Sequence, residues 1–260
     1  MDIKKILLII MLFSTVKPYE FVCNVDHEML CECCSLHRSM FIEEVIPNTR
    51  NFITVSLGSN CCPASNTRQN DVRSFAFPFD WCVTPYQALY HFIENDFKDY
   101  LKLEHLIASS PLYFNQATKD VLAQIGSAHE SENKIWVLDK KTGMIYNHDF
   151  TGNSQSLIEN EHPEQYTKYQ RRIKRFYEAM HSHKHIYFIR FNNITKKESI
   201  KLYQLLKKKF PTASFSLIVI NVLQEFHRPW NIPHIYNYFN GGYQDFWKEL
   251  CNKMVQGQLL

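Results

Sequence analysis

The chain has 260 residues, of which 45% are hydrophobic, 14% aromatic and 21% charged. A chain of this length and composition can bury one sizeable core, so intrinsic disorder and collagen-like structure are excluded. Its 29 basic and 26 acidic residues give a formal charge of +3. This balance is too even to make nucleic acid or a membrane surface the expected partner.

The first residues have the pattern of a secretory signal peptide. Lys4 and Lys5 precede an unbroken apolar run over residues 6–13. The run is shorter than the roughly 20 apolar residues that a membrane-spanning helix needs. We therefore expect a signal peptide over residues 1–18, a secreted or periplasmic location and no stable membrane span. A buried or membrane-tethering first helix is the alternative.

A cysteine-rich segment follows over residues 19–50. Four of the eight cysteines crowd into it, together with two histidines. Disulfides form and persist in the oxidising compartments that exported proteins reach, so a disulfide knot is the favoured interpretation. A zinc site is the alternative, because cysteine and histidine are the side chains that bind zinc. The residues concerned are Cys23, His27, Cys31, Cys33, Cys34 and His37.

The globular domain is expected over residues 51–260. The β-branched and apolar residues 52–57 predict a buried strand, which stops at Gly58. Proline loses no hydrogen bond in the first turn of a helix, so Pro63 predicts that a short helix starts directly after this strand.

Two longer helices are predicted from their start signals. Thr84 is expected to cap one of them, with Pro85 in its first turn and apolar residues on one side as far as Phe97. Pro163 is expected to start a long helix whose apolar face runs to Met180. The other side of that helix is basic, for which a solvated face is favoured and an anionic ligand is the alternative. Its basic residues are Lys168, Arg171, Arg172, Lys174 and Arg175.

A β-hairpin is predicted over residues 134–149, with a second strand that begins at Met144. The strand continues through Tyr146 and His148 in this prediction. A hairpin of this kind is an antiparallel element beside whatever main sheet the domain contains.

The clearest architectural pattern lies in the last third of the chain. Residues 186–191 and 215–220 are apolar runs on either side of a helix that Thr195 and Glu198 open as a capping box. Strands that are apolar on both faces are typical of a βαβ unit in a covered parallel sheet. With a last helix at residues 243–254, we expect an α/β domain with a mixed, mainly parallel sheet flanked by helices, and a β-hairpin.

Cys61 is a candidate nucleophile because of its position. It follows the predicted buried strand and precedes the predicted helix, so its sulfur would lie near helical N–H groups and the positive end of the helix dipole. That setting lowers the pKa of a thiol and favours the reactive thiolate. The amides around Asn60 and Cys61 would also receive the negative charge of an oxyanion. A buried, inert cysteine beneath the sheet is the alternative.

A cysteine nucleophile needs a base, usually histidine, and a group that orients the base. Of the twelve histidines, His148 is the best placed, because it ends an apolar strand of the predicted hairpin. Side chains alternate along a strand, so Asp149 would face away from its neighbour His148. Asp80, in the aromatic run at residues 77–81, is the other candidate for the orienting group, with an N-cap or turn aspartate as its alternative role.

Two further features allow more than one interpretation. His181, His183 and His185 alternate and would suit a metal on a strand, but they lie between a helix end and a strand, so an exposed connector is favoured. Arg190 is an unusual charge in a buried strand, and it is either paired inside the protein or part of a site. We expect neither a metal nor a cofactor at the candidate site.

Three motifs carry a resemblance to a known family. Through these motifs, residues 52–230 resemble a family of uncharacterised proteins that are described as papain-like cysteine peptidases. The resemblance implies that Cys61 is the nucleophile and His148 the base, with an acidic or amide residue as third member. The motifs are Ser56 to Cys61, then Arg73 with Phe77-Pro78-Phe79-Asp80-Trp81, and finally His148-Asp149-Phe150.

The leading hypothesis is an exported thiol hydrolase that acts on a peptide or another acyl substrate. Cys61 would attack the acyl carbon, His148 would move the proton, and Asp80 or Asp149 would hold the imidazole. A non-catalytic module that binds a phosphate or sugar nucleotide at the carboxyl ends of its strands is the alternative. A third hypothesis is an exported interaction protein with structural thiols. No nucleic acid partner is expected, and the sequence leaves the oligomeric state open.

Overall fold

The computed structural model describes residues 50–109, 114–116, 118–120, 136–146, 148–151, 154–192, 194–221, 223–240 and 245–259. The expected signal peptide lies outside the described residues. So do the cysteine-rich segment up to residue 49 and the first two residues of the last predicted helix.

Twelve helices and strands have both ends within the described residues, and single 3-10 turns lie at Leu103–His105 and Gln224–Phe226. In chain order they are β1 Phe52–Ser56, α1 Cys62–Gln69, α2 Tyr86–Glu94, β2 Leu106–Ser109, β3 Trp136–Asp139, β4 Ile145–Tyr146, α3 Gln155–Met180, β5 His185–Phe191, α4 Lys196–Lys209, β6 Phe215–Asn221, β7 Ile235–Phe239 and α5 Phe246–Gln256.

The main sheet has four parallel strands in the order β1-β5-β6-β7. Side chains alternate along its strands, so the sheet buries two faces. Val55, Phe188 and Leu217 face the core shared with α2, α3 and α4, whereas Ile189 and Ile218 face the core shared with α5. Burial on both faces explains the nearly continuous apolar runs, and the predicted α/β class is confirmed.

The predicted βαβ unit consists of β5, α4 and β6. Thr195 Oγ1 accepts the Glu198 N–H at 3.3 Å, and the Glu198 carboxylate accepts the Thr195 N–H at 2.9 Å. This reciprocal pair is the predicted capping box, and it satisfies two of the four N–H groups that a helix start leaves without intrahelical partners.

The predicted hairpin is formed by β3 and β4, which join β2 in a second, antiparallel sheet. Its second strand is shorter than predicted, because β4 ends at Tyr146. His148 therefore lies in a turn rather than on a strand. The shortening follows from pairing, since β4 has partners in β3 only at Ile145 and Tyr146.

Two predicted helix starts are wrong. Helix α2 has Pro85 as its N-cap residue and no side-chain cap. Thr84 is held outside the helix because its N–H donates to Ser59 O at 2.6 Å and its carbonyl accepts from Arg190 at 2.9 Å. Helix α3 contains Pro163 in its interior and begins earlier, at Gln155.

The early start of α3 has an energetic explanation. An interior proline costs a helix about 3 kcal/mol. Ile158, in the turns before Pro163, is fully buried in the main core. Burying such a side chain stabilises by about 1.5–3 kcal/mol, which offsets most of that cost. Among the described residues, no helix is long and apolar enough to cross a membrane.

Candidate active site

Cys61 lies in a turn at the carboxyl end of β1, where the chain leaves the parallel sheet. Pairing with β5 continues beyond the strand, because Leu57 N donates to Ile189 O at 2.8 Å and Ser59 N to Phe191 O at 3.1 Å. The Ser59 hydroxyl donates to the same carbonyl at 2.6 Å. Hydrogen bonds to β5 thus fix the backbone as far as Ser59, two residues before Cys61.

Gly58 allows this turn to form. Its φ is +79°, a backbone conformation that residues other than glycine rarely adopt. A Cβ here would lie 3.0 Å from Arg190 Nη1 and 3.1 Å from Thr84 Cβ. Both the backbone conformation and the close approach therefore require glycine.

Arg190 is fully buried beside Gly58. Its guanidinium donates to Leu57 O at 2.7 Å and to Thr84 O at 2.9 Å. Burial lowers the pKa of Arg190 to about 9, with partial compensation from Glu198 and Tyr86, so the group stays charged at neutral pH. Arg190 is therefore bonded inside the protein, and its two hydrogen bonds join the turn that leads to Cys61 to the segment before α2.

Cys61 is half-buried and is the N-cap residue of α1. Its carbonyl accepts the Ser65 N–H at 2.9 Å, which begins the helix. Asn60 Oδ1 accepts the Cys62 N–H at 3.0 Å. Cys62 is also half-buried, but its Sγ accepts from Asn66 Nδ2 at 3.3 Å and it packs against the second core. The two neighbouring thiols thus have different surroundings.

The segment before α2 links this turn to the one that carries His148. Thr84 N donates to Ser59 O, and Val83 exchanges two backbone hydrogen bonds with Ile145, at 2.9 and 3.0 Å. His148 follows three residues after Ile145. Its half-buried ring lies against Trp81, with ring centroids 6.0 Å apart in an edge-to-face arrangement. The turn that carries Cys61 and the turn that carries His148 are therefore both joined to one short segment, residues 81–84.

Asp80 is fully buried under this segment. It forms an ion pair with Arg73 and accepts the Phe77 N–H at 2.7 Å. The Arg73 guanidinium lies 5.4 Å from the centre of the Trp81 ring. Asp80 thus closes the loop between Arg73 and Trp81, as a turn aspartate does. Among the described residues, it does not hydrogen-bond the His148 ring.

Asp149 faces α3. Its carboxylate accepts from the Tyr169 hydroxyl at 2.5 Å and lies 2.7 Å from Lys168 Nζ and 3.8 Å from Arg172 Nη1. Burial alone would raise the pKa of Asp149, but Lys168 and Arg172 outweigh it and hold the pKa below its ordinary value. Within the described residues, Asp149 makes no hydrogen bond to the His148 ring either.

Comparison with known proteins shows the family of the chain. Residues 52–225 match the family described as "Putative papain-like cysteine peptidase (DUF1796)". The chain belongs to this family. The matched residues include the Cys61 turn, the Asp80 loop and the His148 turn, and the predicted family resemblance is confirmed.

A virus encodes a similar protein. The chain is 26% identical over 217 residues to "Uncharacterized protein R408" of Acanthamoeba polyphaga mimivirus. The alignment covers 75% of this chain and 95% of the viral protein. No solved structure matches the chain.

In this member of the papain-like family, the basic run on α3 is only partly exposed. The predicted solvated face is correct for Lys174, whose side chain is 78% exposed, but wrong for Arg172, which is 1% exposed. The turn of helix that carries Lys168 and Arg172 faces the buried Asp149. These two cations therefore lie near a buried carboxylate rather than in solvent. Sequence reasoning missed Arg172 as part of the site region.

Among the described residues, the alternating histidines, for which a metal was the alternative interpretation, are not arranged to bind one. His181 is the C-cap residue of α3, and His185 begins β5, where its two ring nitrogens lie 2.8 and 3.1 Å from the Ser214 and Ser216 hydroxyls. Across the described ranges, no group of three or more His, Cys, Asp or Glu side chains is arranged to hold a metal ion.

Proposed function

We propose that this member of the papain-like family is a thiol hydrolase with Cys61 as nucleophile and His148 as base. The observation that carries the proposal is the position of Cys61, half-buried at the start of α1 and at the carboxyl end of a buried parallel strand. Helix starts stabilise thiolates, and the carboxyl ends of parallel strands are where α/β proteins place their ligands.

The proposed reaction has two steps. His148 takes the proton from the Cys61 thiol, the sulfur bonds to the acyl carbon, and the proton passes to the departing group as its bond to that carbon breaks. Water then attacks the resulting thioester with His148 as base, which releases the acid and restores the thiol. The amides of Asn60 and Cys61 are proposed to receive the oxyanion of each step.

The family description favours a peptide as substrate, with other acyl compounds as the wider class. The alternative of a phosphate-binding module has less support. Asn60 Oδ1 already accepts the Cys62 N–H, and Pro63, the next residue of α1, has no N–H to offer an anion.

We also propose that the protein is exported, as Lys4, Lys5 and the apolar run at residues 6–13 favour. Intact-mass measurement of protein recovered from the producing cell and its medium tests this. Export predicts a mature chain that lacks about the first 18 residues, whereas an intact first residue on all of the protein would contradict it.

Competition labelling tests the nucleophile. We expect iodoacetamide at about pH 6 to label Cys61 at least tenfold faster than Cys62, because His148 is proposed to take the proton of Cys61, whereas Cys62 packs against the second core. Cys82 and Cys251 are buried, which raises the pKa of each to about 12, so both should stay unlabelled and serve as internal controls. Equal labelling of Cys61 and Cys62 would contradict the proposal.

A further inference from the structure

Three buried side chains join the segment before α2 to the turn that carries His148. Cys82 Sγ lies 3.0 Å from the Tyr169 hydroxyl, and the same hydroxyl lies 2.5 Å from Asp149 Oδ2. All three side chains are buried, and Tyr169 is carried by α3. These two contacts form the Tyr169 bridge. The proposed reaction uses neither Cys82 nor Tyr169.

The direction of the two hydrogen bonds follows from the charge of Asp149. Burial raises the pKa of Asp149, but Lys168 and Arg172 outweigh it, so the carboxylate is ionised and can only accept. The Tyr169 hydroxyl therefore gives its single proton to Asp149, and its oxygen accepts from the Cys82 thiol. Burial and the nearby Asp149 raise the pKa of Cys82 to about 12, which keeps this thiol protonated as a donor.

Each end of the bridge is the chain neighbour of one of two packed rings. Cys82 directly follows Trp81, and Asp149 directly follows His148. The centroids of the Trp81 and His148 rings lie 6.0 Å apart. The segment and the turn are therefore joined twice, once by the ring contact and once through the Tyr169 hydroxyl.

The same segment is also bonded to the turn that carries Cys61. Thr84, two residues after Cys82, donates its N–H to Ser59 O at 2.6 Å. Hydrogen bonds and short pieces of chain therefore form a continuous path between the Cys61 turn and the His148 turn. The Tyr169 hydroxyl is the point at which this path passes through a rigid helix, so it can fix the separation of the two turns.

We infer that Tyr169 is a positioning residue, whose hydroxyl holds the His148 turn at its distance from the Cys61 turn. The inference rests on the proposed roles of Cys61 and His148. It gives Cys82 the role of a hydrogen-bond donor in the same bridge. Tyr169 acts through Asp149 and fixes where the turn lies, whereas the rotation of the His148 ring within that turn depends on the ring's own contacts.

The test uses substitutions in the full chain that each change one polar group. Tyr169→Phe removes the bridging hydroxyl and keeps the ring. Tyr177→Phe is the matched control, because Tyr177 lies on the same helix and its hydroxyl also donates to an aspartate, Asp96, at 3.2 Å. Cys82→Ala removes the donor at the other end of the bridge, and Cys82→Ser keeps a donor there.

Two measurements on the folded proteins follow the position of the His148 turn. NMR with labelled histidine and tryptophan rings reports the contact between His148 and Trp81. The pH profile of Cys61 alkylation by iodoacetamide reports whether the base is within reach, because a neighbouring histidine lowers the pKa of a thiol from its ordinary value of about 8.5. A residue that contributes only to stability changes neither measurement while the variant is fully folded.

In Tyr169→Phe, we expect a weaker ring contact and a midpoint of the Cys61 profile that rises by about one pH unit toward the ordinary value. Alkylation at pH 6 should fall about tenfold, as expected when a catalytic group is displaced. Cys82→Ala should show both changes to a smaller extent, because it leaves the hydrogen bond to Asp149 in place. Cys82→Ser and Tyr177→Phe should show neither change.

Unchanged ring contact and an unchanged profile in folded Tyr169→Phe would overturn the inference, and so would equal changes in Tyr177→Phe. If Tyr169→Phe does not fold, Cys82→Ala breaks the bridge at its other bond and is judged by the same two measurements. If Cys61 has the profile of an ordinary thiol in the unsubstituted chain, the proposed function fails. The ring contact then decides by itself whether Tyr169 holds the turn.

Discussion

The turn that carries Cys61 and the turn that carries His148 are held by different interactions. Backbone hydrogen bonds to β5 and the two bonds from Arg190 fix the first. Side-chain contacts fix the second, through Trp81 on one side and through Asp149 with α3 on the other. The nucleophile turn is thus part of the sheet, whereas the base depends on side-chain contacts that pH and substitution can change.

The largest expected effect concerns the first region. Arg190→Met removes two hydrogen bonds from a buried guanidinium to backbone carbonyls, and bonds of this charged type contribute about 1.5–3 kcal/mol each. We expect the free energy of unfolding in urea to fall by about 4 kcal/mol. The matched control is Arg228→Met at an exposed site, which should change it by no more than about 0.5 kcal/mol. Equal effects of the two substitutions would contradict the role given to Arg190.

The second region should respond to pH. The folded pKa of Asp149 lies below its unfolded value of about 3.9, so the stabilising contribution of this group is present above that value and is lost as pH falls through the folded pKa. We expect Asp149→Asn to lower the free energy of unfolding by about 3 kcal/mol at pH 7. The deficit should shrink steadily below about pH 4. A deficit that is constant from pH 7 to pH 2 would show that the carboxylate charge plays no part.

A smaller effect is expected at the glycine of the Cys61 turn. Gly58→Ala combines a positive φ with a Cβ 3.0 Å from Arg190 Nη1, and we expect a loss of about 2 kcal/mol. Gly257→Ala is a close control, because its φ is +66° but no atom lies within 4 Å of the added Cβ. The control should lose about 1 kcal/mol, from the backbone conformation alone. Indistinguishable losses in chemical denaturation would argue against crowding at the turn.

The features that the sequence predicts well are those determined by residues close together in the sequence. The apolar runs predict β1, β5 and β6, and Thr195 with Glu198 predicts the capping box, because each pattern reports its own local structure. The position of Cys61 between strand and helix follows from the same local rules. Local sequence patterns alone are therefore enough to locate the Cys61 turn.

The His148 turn is harder to predict because long-range contacts determine it. Strand β4 ends at Tyr146, because its pairing with β3 ends there. The alternation of apolar and polar residues in the sequence does not show where this pairing ends. Arg172 looks like one more cation in a basic run until the fold brings Asp149 against it. Its spacing from Tyr169 and from Lys168, on one side of the helix, is the only local sign that it faces inward.

The most direct test of the proposed nucleophile is the site of acylation by an activated ester. Incubation with p-nitrophenyl acetate and rapid acid quenching, followed by peptide mapping, should place an acetyl group on Cys61. The label should persist in Cys62→Ser, disappear in Cys61→Ser and form about a hundredfold more slowly in His148→Gln. Acetylation of Cys62 in place of Cys61, or an unchanged rate in His148→Gln, would contradict the proposed roles of Cys61 and His148.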